Sequence, residues 1–146
     1  MNLPETPSLS VDDPSSTIEQ LAPGVTIEWL HDKKIIVVTS HDTARTSVDS
    51  WMNRSADILQ NWPSDRPYLC AIDASDPNVT RTPYSQGRLK ELRTLRPDLK
   101  RYMALIPPKT YVMQLMQLSM KLPTSREEMK IFFTRDEAIK WLQSKI

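Results

Sequence analysis

Val25-Thr26-Ile27-Glu28-Trp29-Leu30-His31-Asp32-Lys33-Lys34-Ile35-Ile36-Val37-Val38-Thr39 is the stretch on which the fold turns. Its first six residues alternate between apolar and polar, the period of a strand with one buried face. After the polar turn His31-Asp32-Lys33, the run Ile35-Ile36-Val37-Val38 is continuously β-branched. An unbroken run of that kind suits a strand covered on both faces, as in sheets flanked by helices. The two strands and their short polar link read as a hairpin.

Working downstream, Asp42 or Thr43 is placed to cap a helix. Val48, Trp51, Met52, Ser55, Ile58, Leu59 and Trp62 recur at three- and four-residue spacing, and Pro63 follows their stop. Tyr68-Leu69-Cys70-Ala71-Ile72-Asp73 is a third strand. A second helix runs from about Tyr84 to Leu95 with Leu89, Leu92 and Leu95 as its apolar stripe, and Pro97 ends it. Tyr102–Ile106 is a fourth strand, after which Pro107-Pro108 opens a third helix over about 109–121, proline being tolerated in a first turn. Met129–Phe133 is a fifth strand. Thr134-Arg135-Asp136-Glu137 forms a capping box before a last helix whose buried side is Ala138, Ile139, Trp141 and Leu142. The order ββαβαβαβα predicts an α/β domain over residues 23–146, with a five-stranded mixed sheet, four helices and right-handed crossovers. Upstream, residues 1–22 are rich in Pro, Ser, Thr and Asp. They read as a disordered or loosely docked arm, with Ile18 to Leu21 as its docking point.

This order resembles the STAS fold of the anti-sigma-factor antagonists, in particular its SpoIIAA-like branch. The resemblance runs from Val25 to Ile146, and its best local match is the close, Ile131-Phe132-Phe133-Thr134-Arg135-Asp136-Glu137-Ala138-Ile139-Lys140-Trp141-Leu142. It implies a non-catalytic regulatory module. In antagonists of this type a phosphorylatable serine begins the helix after the third strand. Here the region reads Thr82-Pro83-Tyr84-Ser85-Gln86-Gly87-Arg88-Leu89, so the resemblance points to Ser85. The preceding acid of the family pattern is missing, and a serine there also reads as an ordinary cap.

Composition narrows the chemistry. The 146 residues hold two glycines against twelve prolines, which excludes the clustered glycines of Walker and dinucleotide-binding loops. The single cysteine, Cys70, permits no internal disulfide and cannot by itself make a zinc site. No basic-then-apolar leader and no apolar run of about 20 residues is present, so a reducing, cytoplasmic setting is expected. His31 lies in the hairpin turn and His41 before a helix, neither with partners at metal or nucleophile spacing. No cofactor or metal is expected, and no enzymatic activity. The alternative is a small enzyme built around Asp73, at the strand end where α/β proteins place ligands.

Two surfaces stand out instead. The formal net charge of +1 hides a balance of −7 over residues 1–80, +6 over 81–109 and +2 over the remainder. Arg81, Arg88, Lys90, Arg93 and Arg96, with Lys100, Arg101 and Lys109 after them, predict an anion- or partner-binding surface on the second helix. Phospholipid headgroups or an acidic protein suit it. Nucleic acid does not, for want of stacking aromatics or a reading motif. The third helix carries Met113, Met116 and Met120 among Tyr111, Val112, Leu115, Leu118 and Leu122, apolar over most of its circumference. Such a surface calls for a cover: a homodimer, a protein partner, a lipid-like ligand, or the N-terminal arm. Replacing Met113 and Met120 by Glu should leave circular dichroism near wild type while removing a dimer, partner or ligand in native mass spectrometry. Unfolding of the double variant would instead make these residues interior.

Overall fold

The computed structural model describes residues 16–80, 82–108 and 127–146. One six-stranded sheet, its strands side by side in chain order, forms the frame: β1 (Thr17–Ala22), β2 (Val25–Leu30), β3 (Ile35–Ser40), β4 (Tyr68–Asp73), β5 (Arg101–Ile106) and β6 (Glu127–Ile131). The pairs β1–β2 and β2–β3 are antiparallel, and β3 to β6 run parallel. The helices are α1 (Arg45–Gln60), α2 (Pro83–Arg93) and α3 (Arg135–Gln143). The mixed α/β class is thus as read from the sequence.

The strand count is not. The additional strand, β1, lies in the segment read as an arm, and it has no buried face of its own: Ile18 is 58% exposed. Its support comes from the ladder with β2 and from Glu19. That carboxylate accepts from the Trp29 indole at 2.9 Å and from the Arg54 guanidinium at 3.0 Å, tying β1 to α1. The Arg54 hydrogen bond is the chief reason that the Glu19 carboxyl titrates below its ordinary range. Helices number three among the described residues where four were expected, because the expected Met-rich helix over 109–121 lies outside them.

The hairpin of β2 and β3 closes with Leu30 opposite Ile35. With no glycine in this turn, His31, Asp32 and Lys33 all take left-handed backbone, φ 54°, 56° and 64°. Alternation along the strands sorts the core into two layers. Ile27, Ile36, Val38, Tyr68, Cys70, Ile72 and Met103 face α1 and α2, meeting Val48, Trp51, Met52, Ile58, Leu59 and Leu92. Leu30, Ile35, Val37, Leu69, Ala71, Ala104 and Ile106 face α3, meeting Ala138, Ile139 and Leu142. Expected caps divide in the same local way. Thr134 accepts from the Glu137 amide as the sequence predicts, whereas α1 is entered through Ala44 with no side-chain cap, Asp42 taking the Ala44 amide at 2.9 Å.

One ion pair crosses the second layer: Arg135, in the first turn of α3, meets Glu28 of β2, a carboxylate buried to 4% exposure. A buried acid without such a partner would be strongly destabilising. Trp141, counted in the buried stripe, is only half-buried at the flank of α3, and Leu142 carries the layer instead. Leu142→Ala should lower unfolding free energy by about 2–5 kcal/mol in urea titrations. A loss below about 1 kcal/mol would mean that α3 does not seal the second face.

Candidate functional site

The carboxyl ends of the parallel strands gather polar side chains, as the fold class predicts. Asp73 is there, at the end of β4, but its Oδ1 is taken by the Ser75 amide (3.2 Å) and hydroxyl (2.7 Å). Asp76 accepts the Asn78 amide at 2.8 Å and meets His41 Nδ1 at 3.1 Å. The backbone bond, more than the imidazole, holds its carboxyl below the ordinary range. Each of Asp42, Asp73 and Asp76 therefore serves as the hinge of its own loop, the usual work of aspartate in turns. His41 and Asp76 do join two strand ends, and Thr43 and Thr80 join them again at 3.1 Å.

Ser85 stands apart from that group. Thr82 is the N-cap of α2 and accepts the Ser85 amide at 3.0 Å, while the Thr82 amide donates back to the Ser85 hydroxyl at 3.3 Å. Ser85 is thus the inner partner of a reciprocal box, with its own hydroxyl also bonded to the Thr82 carbonyl at 3.1 Å. His31, in the turn between β2 and β3, lies at the opposite end of the strands, against Gln143. Among the described residues no three His, Cys, Asp or Glu side chains group as a metal site.

The basic second helix turns its arginines inward. Arg88 meets Asp49 and donates to the side-chain Oδ1 of Asn53, both on α1, the latter at 2.7 Å, and meets Glu91 at 3.4 Å. Arg93 meets Glu127 of β6 at 3.0 Å. Arg96 pairs with Asp98 at 2.9 Å and donates to the Leu59 and Trp62 carbonyls at 2.9 and 2.8 Å, closing the C-terminal end of α1 from a backbone at φ 53°. Arg101 is buried beneath α2 and donates to the Arg96 carbonyl at 3.2 Å, burial being the main influence lowering its pKa. Lys90 is exposed, and Arg81 and Lys109 lie outside the described residues, as do Met113, Met116 and Met120. Of the six described members of the expected basic surface, Arg88, Arg93 and Arg96 have acidic partners within the fold, Arg101 is buried, and Lys90 and Lys100 are exposed.

Unneutralised cations cluster elsewhere. On the α3 side of β5 and β6, Trp141 stands edge-on to Tyr102 (centroids 5.8 Å apart) and tilted against Phe132 (5.6 Å). Lys145 lies over both Tyr102 (5.1 Å) and Trp141 (5.6 Å), Lys130 over Trp141 (5.6 Å) and Lys100 over Tyr102 (5.6 Å). Among the described residues these ammonium groups have no salt bridge to a carboxylate. The ring faces hold the lysines by cation–π attraction while the charged ends stay in water. The sequence signal for this cluster is short: Lys100 and Tyr102 two apart at the start of β5, Lys130 and Phe132 two apart at the end of β6, and Trp141 and Lys145 four apart across the C-terminal end of α3. Against family models, curated proteins and solved structures, the chain finds no match.

Cys70, the one thiol, lies in the core beneath α1, and burial pushes its pKa up to about 12. A thiolate is the reactive form, so native protein at pH 8 should alkylate with iodoacetamide roughly a thousand-fold more slowly than urea-unfolded protein. Equal rates would place this thiol at the surface. The sign for stability follows: the folded state holds the thiol proton more tightly, so its contribution is present below pH 9 and is lost as pH rises toward 12.

Proposed function

We propose that the chain is a non-catalytic, STAS-like binding module of the cytoplasm that meets an anionic partner through the lysine–aromatic face of α3, β5 and β6. The observation that carries this reading is where charge is left over. Arginines of the basic segment are spent on Asp49, Glu127, Asp98 and backbone carbonyls. Lys100, Lys130 and Lys145 are held by aromatic rings instead. A cation over a ring keeps its full charge for a partner, whereas a cation paired with a carboxylate does not.

Support for binding over catalysis comes from the groups that chemistry would need. The core thiol is protonated, the Ser85 hydroxyl is committed to its box, and Asp73 is committed to Ser75. The STAS-like part of the proposal is supported by the element order, an antiparallel hairpin followed by parallel strands with helices on both faces. On sequence grounds the Met-rich segment around Met113, Met116 and Met120 is a second contact surface of the same module, for a partner protein or a second copy.

Heparin, a generic polyanion, tests the first surface. Wild-type protein should be retained on a heparin matrix at low salt and elute as salt rises. Lys130→Glu with Lys145→Glu should pass unretained, while Lys90→Glu on α2 should elute near wild type. Retention that follows Lys90 and ignores Lys130 and Lys145 would return the surface to the second helix and overturn the proposal.

A further inference from the structure

Beside the lysine–aromatic face, in the link from β6 to α3, stands Phe133, which is 66% exposed. Its neighbour Phe132 packs on Trp141, so the backbone that presents Phe133 is fixed by the same cluster that holds the lysines. Phe133 thus adjoins, in the chain, the end of the face where Phe132 and Lys130 meet Trp141.

Two kinds of anionic partner suit lysine charge, a defined acidic site on a protein and the headgroup layer of a membrane, and the chemistry here favours the second. Geometric recognition of carboxylate or phosphate is the work of arginine, whose planar fork makes paired hydrogen bonds. Arg54, Arg88, Arg93, Arg96 and Arg135 are bound to carboxylates within the fold, and Arg45 and Arg66, which are not, stack on Tyr84 and Trp62 on the α1–α2 side of the sheet. What the α3 face presents is lysine, a point charge on a flexible stem, beside Trp and Tyr, with the exposed Phe133 in the adjoining link. That is the composition of surfaces that lie at the headgroup level of a bilayer. Acids border the face as well: Glu128 lies opposite Tyr102 in the β5–β6 register, and Asp136 and Glu137 occupy the first turn of α3. They limit the attraction to membranes of high negative charge. Among the described residues no helix is long and apolar enough to cross a membrane.

We infer that this face docks on anionic phospholipid membranes, with Phe133 inserted at the headgroup level and Lys100, Lys130 and Lys145 on the lipid phosphates. The inference rests on the binding reading above and names its partner. Sedimentation with vesicles of phosphatidylcholine alone, and with phosphatidylserine added to about a third, tests it using full-length protein at low salt. Wild type should sediment with the mixed vesicles and not with the neutral ones. Lys130→Glu with Lys145→Glu should weaken sedimentation by more than about ten-fold, given the contribution of each basic residue near such a surface. Phe133→Ser, at an exposed position and checked by circular dichroism, should weaken it several-fold at unchanged heparin retention, and Lys130→Gln with Lys145→Gln serves should the reversed pair fail to fold. Heparin retention that depends on Lys130 and Lys145, without vesicle binding, leaves the binding module standing and overturns the membrane partner in favour of an acidic macromolecule. Absence of both overturns both. Vesicle binding that survives the lysine and Phe133 substitutions moves the contact off this face and overturns the inference.

Discussion

The need to cover both sides of β3 and β4 governs this molecule. Ile35, Ile36, Val37 and Val38 are each at most 1% exposed, and Leu69, Cys70 and Ala71 at most 2%. Apolar surface on both sides of a strand demands a layer on each. The first layer comes from α1 and α2, which the right-handed β–α–β path lays on one face. Among the described residues one short helix, α3, supplies the second. It lies chiefly over β4 and β5, and side chains pack the described face to either side of it. Glu28 and Arg135 finish it toward β2, and Tyr102, Phe132 and Trp141 with their lysines finish it toward β6.

Much of the frame was legible in the sequence because it is local. The alternation of Val25–Leu30, the β-branched run after it and the stripe Val48–Leu59 are each read within one element, and each is where it was expected. Strand β1 was not legible, since Thr17–Ala22 buries little and is held by backbone pairing and by an ion pair to Arg54, 35 residues away. Hydrophobic pattern carries no trace of either.

The pairing of the basic segment was illegible for a related reason. A run of arginines is visible as charge, but its neutralisation is not, because Asp49 and Glu127 are 39 and 34 residues from Arg88 and Arg93. Conversely, Lys130 and Lys145 look unremarkable along the chain, and Lys100 reads only as part of the basic segment. Parallel pairing of β5 with β6, and the return of α3 beside them, bring Lys130 and Lys145 to Trp141, and Lys100 and Lys145 to Tyr102. Composition reports total charge, and topology decides which of it is paired within the fold.

Position 96 is subject to two opposed selections. Its left-handed backbone favours glycine, which adopts that conformation without steric cost. Its side chain is the bracket that closes the end of α1, and its carbonyl receives Arg101, so one residue joins two helices to the start of β5. A chain with only two glycines has met the conflict by keeping the bracket and bearing the backbone. Glycine at 96 would relax the backbone and at the same time leave the Leu59 and Trp62 carbonyls without their guanidinium, so the end of α1 is held shut by a residue that its own loop would rather not carry.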